Sequence, residues 1–304
     1  MPVLPAAIAT GSSARGAAGR IVAFIGLFAI FVAAASLVVP GAWQATESGL
    51  LAGSVITLIA AALSGGILIR RLDARPASAI GWPFSGRALR DACTGLAIGV
   101  LSIGAAGLLM GVTGALRYAA QSGSPAEWVS ALGRGLLVLG LGAAAEEVLF
   151  RGYPFQVLAR ASGPVAATIV ISLAFAIGHI GNPNASALGI ANIFLAGVML
   201  SAAYLRTRSL WLAIGVHLGW NWGMASLLDL PVSGLDFLET PRYESVLGGA
   251  TWLTGGAFGP EGGLAATLGF AIALAAVLRL PGLDEAPEMR ALRPLLDPDE
   301  TATR

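Results

Sequence analysis

The sequence predicts an all-α polytopic membrane protein of about eight transmembrane helices, and three observations lead there. Hydrophobic residues make up 56% of the 304-residue chain and charged residues only 12%, about half the charge of a soluble domain. The mean hydropathy is +0.78. The apolar residues also fall into runs of roughly the 20 residues that a helix needs to cross a bilayer core of about 30 Å. A water-soluble globular enzyme is excluded.

Three runs meet the length plainly: Ile21–Val39, Gly49–Ile69 and Ala92–Leu116. The first exceeds a usual signal-peptide core and reads as a retained helix, although small residues follow it. A fourth run begins near Gly135 and meets Glu146, Glu147 and Arg151 before its apolar length is complete. Val165–Ile180 is shorter and carries a histidine. Ala185–Leu205 and Ser209–Leu228 qualify with a few polar residues, and Gly262–Leu278 is thin but free of charge. The organisation expected is a flexible cytoplasmic tail over 1–20, N-terminal helices over 21–134 and a core over 135–228. An acidic outer loop over 229–261, a last helix over 262–280 and a second flexible tail over 281–304 follow. No internal repeat is visible.

All 18 basic residues are arginine. With the N-terminus in the cytoplasm and sides alternating, fifteen arginines fall inside and only Arg117, Arg134 and Arg242 outside, the bias that sets membrane orientation. The expectation is a plasma-membrane protein with both termini cytoplasmic. Without lysine there is no Schiff base, pyridoxal site or phosphate-loop lysine. The single Cys93 excludes internal disulfides, Fe–S clusters and cysteine-rich zinc sites. A net charge of +1 gives no case for nucleic acid as a partner. The 41 glycines suit close helix packing in lipid.

Ionisable groups inside spanning helices are costly and mark function. Here they form three clusters: Glu146-Glu147-Val148-Leu149-Phe150-Arg151, Phe175-Ala176-Ile177-Gly178-His179 and His217-Leu218-Gly219-Trp220-Asn221. Both histidines of the chain are among them. At about 1.5 Å per residue, Glu146 lies about 18 Å from Arg134. His179 lies about 22 Å from Pro164, and His217 and Asn221 about 14 and 20 Å from Arg208. Three helices thus bring polar groups into one slab of the membrane.

Helical spacing assigns the partners. Glu147 and Arg151, four apart, share a face and neutralise each other. Glu146, turned about 100° from Glu147, has no local partner and needs His179, His217 or water. Partial desolvation suits it to general-base work. His217 and Asn221, again four apart, present two donors that could stabilise an oxyanion. Read singly, these residues are bland: an interfacial ion cluster, a packing histidine, an interhelical amide. Asn192 is read as such glue, Phe175 as packing that orients the His179 ring, and Trp211, Trp220 and Trp222 as interface or core aromatics.

The ordered pattern EExxxR, FxxxH, HxxxN resembles the CAAX-protease and bacteriocin-processing (CPBP, or Abi) family of intramembrane proteases, whose eukaryotic relatives are type II prenyl-protein endopeptidases. The motifs stand here as EEVLFR, FAIGH and HLGWN, and the resemblance spans roughly 135–228. It implies helices around a cavity open to the cytoplasm and membrane, and peptide-bond hydrolysis by water that Glu146 activates with His179. It also implies that His217 and Asn221 hold the oxyanion while Glu147 and Arg151 support the site. The family is called metalloprotease, and a metal-free glutamate mechanism is also argued for it. If a metal is bound, Glu146, His179 and His217 would hold Zn²⁺. The partners implied are membrane lipids and a membrane-associated peptide or protein, a prenylated CAAX protein being one such substrate. Other intramembrane protease patterns are missing: neither histidine begins an HExxH helix, and no GxSG or GxGD motif occurs. The competing readings are a non-catalytic immunity or regulatory protein of the same family, a b-type haem carrier using both histidines, and a proton-coupled transporter.

Overall fold

The computed structural model describes residues 14–44, 46–238 and 240–296. Each expected apolar run is a helix, and polar side chains mark where several of them start. Thr46, Ser124, Ser186 and Ser209 accept hydrogen bonds from the first backbone amides of α2 (Glu47–Leu72), α4 (Pro125–Arg151), α7 (Ala187–Thr207) and α8 (Leu210–Trp222). Such caps satisfy donors that a helix start leaves open. At α4 the cap is reciprocal, because Glu127 also accepts from the Ser124 amide at 2.7 Å. The other long elements are α1 (Ala14–Val38), α3 (Gly86–Val112), α6 (Pro164–Gly178) and α10 (Leu264–Arg279).

Five helical stretches are long and apolar enough to cross a membrane: Arg15–Val38, Glu47–Leu72, Gly86–Val112, Pro125–Ser162 and Ala187–Thr207. The other three fall short. α6 and α10 have 15 and 16 residues, and α8 has 13 before a π-helical turn at Gly223–Leu227 continues it. Fifteen residues span only about 22 Å, less than the roughly 30 Å of a bilayer core. A spanning segment can break where it lines a cavity, and the short α6 ends with His179 against one.

Alternating helices give the bundle two ends. One end collects the start of α1, the α2–α3 and α7–α8 connections, α5 (Tyr153–Ser162) and residues 279–296. Its contacts include Arg20 with Asp73 at 3.1 Å, Gln156 Nε2 to Ala79 O at 2.8 Å and Trp211 Nε1 to Pro83 O at 2.8 Å. The opposite end collects the α1–α2, α3–α4, α6–α7 and α8–α10 connections. There β1 (Leu116–Ala120) pairs antiparallel with β2 (Tyr243–Leu247), Tyr118 opposite Ser245. Helix α9 (Thr251–Thr254) lies in the same connection.

Two boundaries differ from the sequence reading. The third run ends its helix at Val112, and its last residue, Leu116, opens β1 instead; Gly114, with φ of 72°, makes the turn. The expected flexible tail is docked through residue 296. Helix α11 (Pro287–Leu292) and buried Leu283, Met289, Leu295 and Leu296 hold it against the bundle, and the Leu295 amide donates to Gln156 at 2.9 Å. The remaining parts of both expected tails, 1–13 and 297–304, lie outside the described residues.

The seam that positions the site joins α3 to α8. Gly95 and Gly99 of α3 face Gly215 and Gly219 of α8 so closely that a Cβ on Gly215 or Gly219 would sit 2.2 Å from a carbonyl oxygen of α3. Small residues four apart permit this approach. His217 lies midway between Gly215 and Gly219, so the same helix turns it about 200° away from the seam, toward α4. Behind it, Trp220 stacks on Phe270 of α10 with ring centres 4.0 Å apart.

Candidate active site

α4 supplies three charged groups in its last two turns, and the structure divides their roles. Glu147 and Arg151 are fully buried. Arg151 Nη1 donates to Glu147 Oε1 at 3.1 Å, and Nη2 donates to the Gly197 carbonyl of α7 at 3.1 Å. The guanidinium also lies over the Phe175 ring, 4.7 Å from its centre, a cation–π contact that shields the charge. Glu146, one residue earlier, faces a cavity of about 530 Å³, and its side chain is 36% exposed.

His217 connects the two carboxylates. Its Nδ1 lies 2.9 Å from Glu147 Oε1, and its Nε2 lies 3.7 Å from Glu146 Oε2. Glu147 Oε1 therefore serves Arg151 and His217 together, while Glu146 Oε2 has no hydrogen-bond partner among the described residues. Of the two candidates for Glu146, the structure brings His217. A carboxylate only accepts, so Nδ1 carries hydrogen toward Glu147.

His179 caps the C-terminal end of α6 and lines the same cavity. Its Nδ1 lies 2.8 Å from the Phe175 carbonyl, which can only accept, so Nδ1–H donates and Nε2 keeps its lone pair. Phe175 sits at the centre of the group, with ring centres 4.7 Å from His179, 6.1 Å from His217 and 5.2 Å from Phe150. Asn221, one turn beyond His217, lines the cavity as well. All of the expected polar residues except the buried Glu147–Arg151 pair thus reach one cavity, and that pair forms part of its support.

Glu261 is the site residue that the sequence reading missed. Grouped with the outer loop, it is 3% exposed and lines the cavity. It accepts from Ser233 Oγ at 2.6 Å, the Ser233 amide at 2.9 Å and Trp220 Nε1 at 3.1 Å. Its local signal is a carboxylate among Gly259, Pro260, Gly262 and Gly263, which reads as a turn. Asn192, by contrast, acts as the expected glue, donating to the Glu261 and Gly263 carbonyls at 2.8 and 3.0 Å and accepting from Thr267 at 2.7 Å.

The zinc set of Glu146, His179 and His217 does not fit this arrangement. Among the described residues no group of three or more His, Cys, Asp or Glu side chains is placed to hold a metal ion.

The cavity is reached from the end of the bundle that carries the β1–β2 sheet. Trp43 and Gln44 of the α1–α2 connection, Asn182 after α6, Ser233 and Phe237 after α8, and Glu261 line it there. None of its lining residues comes from the connections of the arginine-rich end, and the buried Glu147–Arg151 pair lies at its closed end. A cavity open to the cytoplasm and a cytoplasmic arginine-rich end are therefore incompatible in this structure.

Residues 128–223 match the family model described as type II CAAX prenyl endopeptidase Rce1-like. No curated protein and no solved structure matches the chain. The matched span contains Glu146, Glu147, Arg151, His179, His217 and Asn221, and over that span, about a third of its length, the chain is similar to the Rce1-like type II CAAX prenyl endopeptidases.

Proposed function

We propose that the chain is an intramembrane endopeptidase that hydrolyses a peptide bond of a membrane-associated polypeptide with water and no metal. The observation that carries the reading is the linked set of Glu146, His217 and Glu147 beside His179 at the closed end of a membrane cavity. Glu146 has the one carboxylate of α4 that is both open to the cavity and free of an arginine. It takes a proton from water as the oxygen attacks the carbonyl carbon, with the Nε2 lone pair of His179 orienting that water. The resulting oxyanion receives hydrogen bonds from the Asn221 amide and from His217 Nε2–H when the imidazole is protonated. Glu147 keeps Nδ1–H of His217 in place, and Arg151 holds the Glu147 carboxylate in position. Collapse of the tetrahedral species breaks the C–N bond, and the proton held by Glu146 passes to the leaving amine. The products are a carboxylic acid and an amine, so the balance closes without a co-reactant.

His217 directs Nε2 toward the Glu146 carboxylate, and a haem-ligation reading gives the Glu146–Glu147 pair no role. The test is cleavage in proteoliposomes, with a prenylated CAAX peptide and an unprenylated membrane-anchored peptide as substrates and product termini read by mass spectrometry. New internal termini that disappear when Glu146 is replaced support the reading. Intact substrates with folded protein count against it.

A further inference from the structure

The way into the cavity and the arginines lie at opposite ends of the molecule. Of the fifteen arginines assigned to the cytoplasmic side, Arg304 lies outside the described residues and Arg151 is buried in the site. The other thirteen all lie at the end away from the cavity's opening: Arg15 and Arg20 on α1, seven from Arg70 to Arg208 in or beside the connections, and Arg279, Arg290 and Arg293 near the C-terminus, with Arg160 on α5. Several are tied to that end by backbone contacts, as Arg87 is to Asp284 O at 2.5 Å and Arg206 to Leu280 O at 3.3 Å.

The cavity end has only Arg117, Arg134 and Arg242, against Glu47, Glu127, Asp229, Asp236, Glu244 and Glu261. Short loops rich in arginine stay on the cytoplasmic side, and all the arginine-bearing connections here are short. The cavity is mixed in character. Trp43 and Phe237 offer apolar surface near its mouth, and Glu146 turns a carboxylate into it from deeper.

We propose that the cavity opens to the extracytoplasmic side of the membrane, and that its substrate is a membrane-tethered polypeptide segment exposed there, neutral to basic and partly apolar. A prenylated C-terminus finished in the cytoplasm is then on the wrong side of the bilayer. The substrate half of this proposal rests on the hydrolytic function proposed above; the orientation half does not.

The test uses the full chain in cells, with Cys93→Ala removing the native thiol. Ser48→Cys, at the exposed start of α2, marks the cavity end, and Ser162→Cys, at the exposed end of α5, marks the other. Neither position lines the cavity. A membrane-impermeant maleimide is expected to label the Ser48→Cys protein in intact cells and the Ser162→Cys protein only after permeabilisation. The reverse pattern overturns the orientation whatever the activity.

A single-span reporter then carries one cleavable segment either outside or inside the membrane. Loss of the outside reporter alone, dependent on Glu146, supports the proposal; loss of the inside reporter alone overturns the substrate class. Labelling at Ser48→Cys with both reporters intact overturns the hydrolytic reading and the substrate class together, and leaves the orientation established.

Discussion

At the scale of single residues, the site joins a tightly paired Glu147–Arg151 support to a carboxylate, Glu146, that has no arginine. Glu147 and Arg151 are completely buried, and a buried ion stripped of its partner costs about 3–5 kcal/mol. Glu147→Gln is therefore expected to destabilise the protein by a few kcal/mol, because the neutral amide leaves the buried Arg151 charge uncompensated. Thermal unfolding in detergent reads the loss, and an unchanged midpoint would contradict the arrangement. Asn221→Ala leaves that support intact and is expected to lower the cleavage rate about 10²- to 10³-fold, as loss of one oxyanion donor does, with little change in the melting midpoint. Much of this was legible in the sequence. The four-residue spacings fixed Glu147 with Arg151 and His217 with Asn221, because one helix dictates them. The choice of His217 over His179 for Glu146 was not legible, since it depends on how α8 is rolled against α4. Glu261 was invisible for the same reason: its partners, Ser233 and Trp220, are 28 and 41 residues away.

At the scale of elements, α8 is the part whose placement decides the chemistry. Its glycine seam with α3 leaves no room for a side chain, and the opposite face carries His217. Gly219→Ala puts a Cβ 2.2 Å from Leu96 O, against backbone that cannot rotate aside. Overpacking of this kind costs about 1–3 kcal/mol, so a lower melting midpoint and reduced cleavage are expected together. Full activity at wild-type stability would mean that the seam does not set His217. The glycine-rich character of the helices was visible in composition, but the pairing of Gly95 and Gly99 with Gly215 and Gly219 was not. Helix ends were read less well than helix centres. The β1–β2 sheet and the docked segment to residue 296 form through contacts distant in sequence, which local apolar periodicity does not register.

At the scale of the whole molecule, eight apolar segments were read correctly as helices, while three of them are shorter than the bilayer. That shortness goes with the cavity, because α6 ends early and its cap, His179, lines it. The same architecture separates a charged, arginine-rich end from the end where the cavity opens. This relation required knowing which loops line the cavity, which no segment shows alone. The absence of a three-ligand cluster among the described residues gives a further expectation: chelation with EDTA or phenanthroline leaves the cleavage rate unchanged, and purified active protein contains no stoichiometric metal. Inhibition reversed by added zinc would contradict the glutamate-and-water mechanism.

The most direct measurement compares Glu146→Gln with wild type on one cleavable substrate in proteoliposomes, alongside the melting midpoint of each. Removing a general base is worth about 10²- to 10⁴-fold, so kcat is expected to fall by that factor while the midpoint stays near wild type. Cleavage at the wild-type rate by the folded Gln variant would contradict the central claim.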